Sequence, residues 1–379
     1  MQSHDSLTPH LPSPAPHCGA ATSSAGLGGT SPGRWGRAVV RASCAVVLVS
    51  WLAGCSALGA LNAVTPQASQ AVQTGVAYGP LARQQLDLYQ PQGASPQGGW
   101  PVVVFFYGGS WNSGERADYR FVGEALAGRG VLALVADYRL YPQVRYPDFL
   151  QDSAQAVAWG LRNAHQWGGN PSRLFVMGHS AGAYNAAMLA LDARWLRAAG
   201  HDPSELAGWI GLAGPYDFLP TNNMDAQPVF FHPDYPANAQ PIDWVPSAVV
   251  GANVATRASV PPTFVAAPER DVLVSPKRST QQLADKLKAA GVAVTHKSYG
   301  RVNHVTMVGA LGWPLRWLAP VLEDVSQFIE ATAPVTTARA IQASHDVPSA
   351  RQSAVIGAVK RSSLAQHPFK RLRHMLFFL

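Results

Sequence analysis

The sequence predicts an α/β fold, a mostly parallel sheet flanked by helices. Three observations carry that expectation. Short apolar runs alternate with helical stretches between residues 102 and 331, the rhythm of a parallel sheet with crossover helices. The runs at 102–107 and 131–135 are continuously apolar, as in strands covered on both faces. The pentapeptide Gly178-His179-Ser180-Ala181-Gly182 joins one such run to a helical stretch, in a turn where only glycine fits two residues either side of the serine.

The elements follow in order. Gln85 to Tyr89 alternates as a strand, and Gly93 to Gly99 is a turn. Val102 to Tyr107 is a buried strand, Phe121 to Gly128 a helix, and Val131 to Val135 a second buried strand. Phe149 to His165 carries Leu150, Ala154, Val157 and Leu161 at helical spacing. Arg173 to Met177 leads as a strand into the pentapeptide, and Ala181 to Asp192 continues as a helix. Strands at Trp209–Ala213, Pro262–Ala267 and Val292–Tyr299 follow, with helices at Ser279–Ala290 and Leu318–Ala331. Residues 219–258 break the rhythm with six prolines and are expected to form a short cap over the site edge.

The chain of 379 residues carries a net charge of +7, unevenly spread. Residues 1–55 hold +2 and residues 335–379 hold +6, leaving −1 for the centre. The basic balance is therefore no sign of nucleic acid. The cysteines are Cys18, Cys44 and Cys55, so the central domain has no disulfide framework and no thiolate metal site. Four segments are expected: an extension with an export signal at 1–55, a tether at 56–80, the catalytic domain at 81–334, and a basic, pattern-poor tail at 335–379.

Arg34, Arg37 and Arg41 precede an apolar stretch from Cys44 to Trp51, the order of a secretory signal. Its ending, Leu52-Ala53-Gly54-Cys55, resembles the lipobox of bacterial lipoproteins. The resemblance implies lipidation of Cys55 and an exported domain held on a membrane of the bacterial envelope, with Ser56 pointing to the outer one. An uncleaved anchor is the alternative, since residues 42–64 contain no charge.

A serine hydroxyl attacks well only when a histidine takes its proton and an acid orients that histidine. His304 lies in a loop past the end of a predicted strand, the edge where catalytic groups gather. His296 sits mid-strand, and His345, His367 and His374 fall in the tail. Asp271 and Glu269 share the loop after Val265-Ala266-Ala267 and both are candidate acids. Tyr107-Gly108-Gly109-Ser110-Trp111 follows a strand end, where glycines let backbone N–H groups approach a substrate oxyanion.

These motifs resemble the esterase/lipase branch of the α/β-hydrolases over about residues 80–332. The Gly-Gly-x-Trp loop is similar to that of esterases and kynurenine formamidases, and Ala136 to Pro142 is similar to a segment of the carboxylesterases. The resemblance favours Asp271 over Glu269 and implies a Ser180–His304–Asp271 triad. It implies an oxyanion hole from Gly108, Gly109, Ser110 and Ala181, and carboxylic ester hydrolysis through an acyl-enzyme. Asp137 and Arg139 are expected to be structural. Tyr107 stands where those esterases carry histidine, and is either a side-chain donor, as in prolyl oligopeptidases, or a brace for the loop. Trp111, Phe230, Phe231, Tyr235 and Trp244 are candidate pocket residues, with pinning of the insert as the alternative. No metal or cofactor is required, and the expected partners are a small ester and, through Cys55, a membrane. An amide- or formamide-directed hydrolase and a non-catalytic binding lipoprotein remain the other readings.

Overall fold

The computed structural model describes residues 57–246 and 260–335. Eight strands form one sheet: β1 (Ser69–Ala77), β2 (Gln85–Pro91), β3 (Trp100–Phe106), β4 (Leu132–Ala136), β5 (Gly169–His179), β6 (Gly208–Leu212), β7 (Thr263–Pro268) and β8 (Val294–Tyr299). Their spatial order is β1-β2-β4-β3-β5-β6-β7-β8. β2 pairs antiparallel with both β1 and β4, and every later pairing is parallel. The helices are α1 (Ala57–Val64), α2 (Arg120–Ala127), α3 (Asp148–Asn163), α4 (Ala181–Leu191), α5 (Arg194–Ala198), α6 (Gln282–Ala289), α7 (His304–Gly309) and α8 (Val321–Ala331).

The central strands are buried because both faces are covered. Every residue from Pro101 to Phe106 and from Leu132 to Ala136 is buried, which is why these runs carry no polar alternation. α4 is buried along its whole length and packs against β5 and β6. The C-terminal ends of β3, β5, β6, β7 and β8 share one edge, and the loops leaving that edge build the site.

The segment expected as a tether is part of the domain. α1 docks through Leu61, and Asn62 donates to the Ala117 and Asp118 carbonyls at 2.9 and 3.0 Å and accepts from the Phe121 N–H at 3.0 Å. β1 then adds an outer strand. Its small, polar, mostly exposed residues make an edge strand with one-sided cover, so its sequence lacks an apolar stripe. His304 also differs from expectation: it opens a short helix rather than lying in a loop. The Asn303 side chain caps that helix, accepting from the Val305 and Thr306 N–H groups at 3.1 and 2.9 Å. The insert is described to residue 246, so part of 219–258 lies outside the described residues, as do Cys55, the signal region and most of the tail.

Candidate active site

Ser180 ends β5 and starts α4 with φ 53° and ψ −121°. That conformation is strained for a serine, and the surroundings impose it. A Cβ on Gly182 would run into the Phe106 carbonyl, and one on Gly178 into the Gly182 carbonyl. The two glycines are therefore a condition of β3, β5 and α4 approaching this closely. The Ser180 N–H donates to the Leu212 carbonyl at 2.9 Å, which ties the turn to the end of β6.

The serine hydroxyl lies 2.8 Å from His304 Nε2. His304 Nδ1 lies 2.7 Å from Asp271 Oδ2. With Nδ1 protonated toward the carboxylate, Nε2 is left to accept the serine proton. Asp271 Oδ1 accepts from the Leu273 and Val274 N–H groups at 2.9 and 3.0 Å. Burial alone would raise its pKa, but the His304 bond and charge and the two N–H donors outweigh it and hold the carboxyl below the usual range. Glu269 is turned elsewhere, with its carboxylate against Gly300.

The loop from Tyr107 to Trp111 passes directly beside the serine. A Cβ on Gly108 would lie 2.9 Å from Ser180 Cβ. Gly109 takes φ 125°, and Ser110 and Trp111 take φ 49° and 59°, left-handed conformations that turn the backbone sharply beside the serine. The Gly108 N–H is directed to the Tyr119 hydroxyl; the tight fit against Ser180 is what requires glycine at 108. Ala181 opens α4, so its N–H has no acceptor within the helix.

Tyr107 is a brace and not a donor to the cleft. Its ring is buried between Tyr119 and Tyr138, with centroids 5.4 and 4.9 Å away. Its hydroxyl donates to Asp137 Oδ1 at 2.8 Å and accepts from Arg83 Nη2 at 2.6 Å. Asp137 also pairs with Arg116, and Arg139 is clamped by Asp152 at 2.7 Å. Both are structural, as expected.

A cleft of about 610 Å³ opens over Ser180 and His304. It is lined by Trp111, Phe218, Ser110, Asn223, Val272 and Leu273, with the Asp217–Arg278 pair. The four aromatic residues expected from the insert are absent from this lining. Phe230 is fully buried, 4.8 Å from the Trp111 ring and 5.2 Å from Phe218. Phe231 lies under the Arg145 guanidinium, Trp244 under that of Arg194, and the Tyr235 hydroxyl meets Thr221. The reason is physical: a proline-rich loop without regular hydrogen bonding is held by burying the Phe230 ring and by contacts of the half-buried or exposed rings with arginines and Thr221. Trp111 does line the cleft, with its indole N–H fixed to Asn185 Oδ1 at 3.0 Å.

Sequence reasoning missed His179. Its Nε2 lies 2.8 Å from the backbone carbonyl of His304. A carbonyl only accepts, so Nε2 carries the proton. Nδ1 is buried with no partner among the described residues. Burial, then the nearby His304 ring, pull the His179 pKa down to about 3, so the ring stays neutral. It ties the serine turn to the histidine helix across 125 residues of sequence. The sequence signal was a polar residue between glycine and serine, which does not name a partner.

A strand-turn-helix serine at the carboxyl edge of a parallel sheet, with histidine and aspartate from two later loops, defines an α/β-hydrolase. The chain belongs to that family: the family model for the alpha/beta hydrolase fold matches residues 103–308. Among curated proteins it is 30% identical over 228 residues to the carboxylesterase NlhH of Mycobacterium tuberculosis, covering 55% of this chain and 69% of that one. It is 35% identical over 153 residues to the isoprenylcysteine alpha-carbonyl methylesterase ICME of Arabidopsis thaliana, covering 39% of this chain and 35% of that one. The chain thus spans about a third of the length of that relative. Among solved structures it is similar to esterase 2 of Thermogutta terrifontis, with TM-score 0.55, 23% identity, and coverage of 71% and 98%. A carbohydrate esterase from gut microbiota gives TM-score 0.57 at 17% identity, covering 70% and 98%. At such identities the structural likeness speaks for the fold.

Proposed function

We propose that this protein is a serine hydrolase that cleaves carboxylic esters through an acyl-enzyme. The observation that carries the reading is the continuous link from Ser180 Oγ to His304 Nε2 and from His304 Nδ1 to Asp271 Oδ2. Ser180 attacks the ester carbonyl while His304 takes its proton. The developing oxyanion is held by the N–H groups of Gly109, Ser110 and Ala181. His304 then gives the proton to the leaving alcohol, Asp271 stabilises the imidazolium, and water releases the acid by the reverse order of steps. The base must be neutral, so activity falls on the acid side.

Esterase and methylesterase relatives support an ester over an amide. The sequence Leu52-Ala53-Gly54-Cys55 supports export and an acyl anchor at Cys55; among the described residues no helix is long and apolar enough to cross a membrane. The decisive experiment is labelling by a fluorophosphonate, followed by turnover of a panel of acyl esters and an aryl formamide. Wild type is expected to label and Ser180→Ala to lose both labelling and turnover with unchanged circular dichroism. Labelling retained in Ser180→Ala would overturn the assignment, and a formamide turned over faster than every ester would move the reaction to amides.

A further inference from the structure

The described residues leave two tryptophans largely in solvent. Trp313 is 59% and Trp317 72% exposed, although the fold buries or half-buries the rest of the tryptophans it describes. Both lie in the segment between α7 and α8. Arg316 stands between them in sequence, and Arg301 lies with Arg316 and Trp317 around one shallow depression. Neither arginine is paired with a carboxylate among the described residues.

The same segment holds the start of the domain. Leu61 of α1 packs on Gly312, where a Cβ would lie 3.0 Å from the Leu61 side chain, and close to Gly309. Trp313 is the next residue. The end of α1 is near too: Val64 is 53% exposed, and Thr65 and Pro66 share a small cavity with Arg129 and Arg316. α1 begins two residues after Cys55, with Ser56 alone between them. Two residues of chain reach about 7 Å. The helix that begins two residues after Cys55 is itself pinned by Asn62 and Leu61.

We propose that Trp313 and Trp317, with Arg301 and Arg316, form the face on which the domain rests against the lipid bilayer that holds Cys55. Indole rings favour the membrane–water boundary, where the ring is half in hydrocarbon and its N–H stays wet. The guanidinium groups meet lipid phosphates there. The face follows α7 in the chain, and the first residue of α7 is His304.

This inference rests on the acyl anchor, and the test separates the two. The full chain is purified with its acyl group and inserted in phosphatidylethanolamine/phosphatidylglycerol vesicles carrying brominated acyl chains. The unacylated Cys55→Ser chain, with Trp35→Phe and Trp51→Phe so that the retained signal stretch carries no indole, is added to the same vesicles in excess lipid. Tryptophan emission is expected to be quenched in both, strongly in the first and weakly in the second. Trp313→Phe/Trp317→Phe is expected to lose that quenching in both, with unchanged ester turnover in detergent. Quenching that survives the double substitution, or none in wild type bound to vesicles, overturns the proposal. A shift from dimer to monomer in the double variant, without any lipid quenching, assigns the face to a second copy instead. If fatty acid is never incorporated at Cys55 but the quenching and its loss are seen, the anchor fails and the lipid face stands.

Discussion

The two sides of the cleft are held by different forces. The catalytic side is a backbone construction: glycines at 178 and 182 permit strand and helix to touch, and hydrogen bonds of 2.7–2.9 Å fix Ser180, His304 and Asp271. The insert side is a side-chain construction, in which Phe230 is surrounded by Trp111, Tyr146, Phe149, Tyr184 and Phe218. The Tyr184 hydroxyl adds a bond to the Ala239 carbonyl at 2.6 Å, and Gln240 accepts from the Phe218 and Leu219 N–H groups. Chemistry demands placement to fractions of an ångström, which backbone contacts supply. A wall that only shapes the cleft tolerates the looser fit of packed rings.

The largest expected effect lies on the catalytic side. Asp271→Asn leaves His304 in the wrong tautomer and is expected to lower kcat by about 10⁴, with the folded circular dichroism retained, whereas Glu269→Gln stays near wild type. Steady-state kinetics of the two variants checks this, and the reverse ranking would make Glu269 the acid.

Next comes the insert. Phe230→Ala removes a fully buried ring and is expected to cost about 3–5 kcal/mol of stability. Turnover of short and long esters should drop alike, because Phe230 supports Trp111 and does not touch the cleft. Denaturant melts and a chain-length series test it; a selective change in chain-length preference would return Phe230 to the pocket.

The third effect concerns pH. The His179 pKa is depressed in the folded state to about 3, against about 6.5 unfolded. The unfolded chain therefore binds more protons in between, so the contribution is fully present above about pH 6.5 and is lost as pH falls toward 3. Asp271, also depressed, contributes in the same direction at lower pH. His179→Gln keeps a donor for the His304 carbonyl and removes the titrating ring. Its melting temperature is expected to fall less between pH 7 and 4 than that of wild type. An identical slope would mean that His179 does not sense the change.

The same contrast explains what was legible in the sequence. Continuous apolar strands, glycine spacing and a serine at a strand-helix junction leave local marks, so the sheet, the serine turn and the place of His304 past a strand end could be read, whereas the choice of Asp271 over Glu269 came only from the resemblance. α1 and β1 could not, because they are held by Leu61 and Asn62 and by edge pairing rather than by a periodic stripe. The aromatic residues of the insert were visible, but their direction was not: an aromatic ring reads the same whether it lines a cleft or plugs a core. His179 was hidden for a further reason, since its partner is a carbonyl that any residue at position 304 would present.

The ring stack behind the oxyanion loop has a consequence for alkaline conditions. Burial pushes the Tyr107 and Tyr138 phenols far above 10, and that of Tyr119 up to about 12. In the folded state Tyr119 gives up its proton before the other two. The unfolded chain, by contrast, ionises its tyrosines near pH 10. The stabilisation is complete below that value and drains away as pH climbs past it. In base, then, the ring stack holds its protons to higher pH in the folded domain than in the unfolded chain, and an alkali-tolerant variant is to be sought by strengthening the fold rather than by editing the cleft.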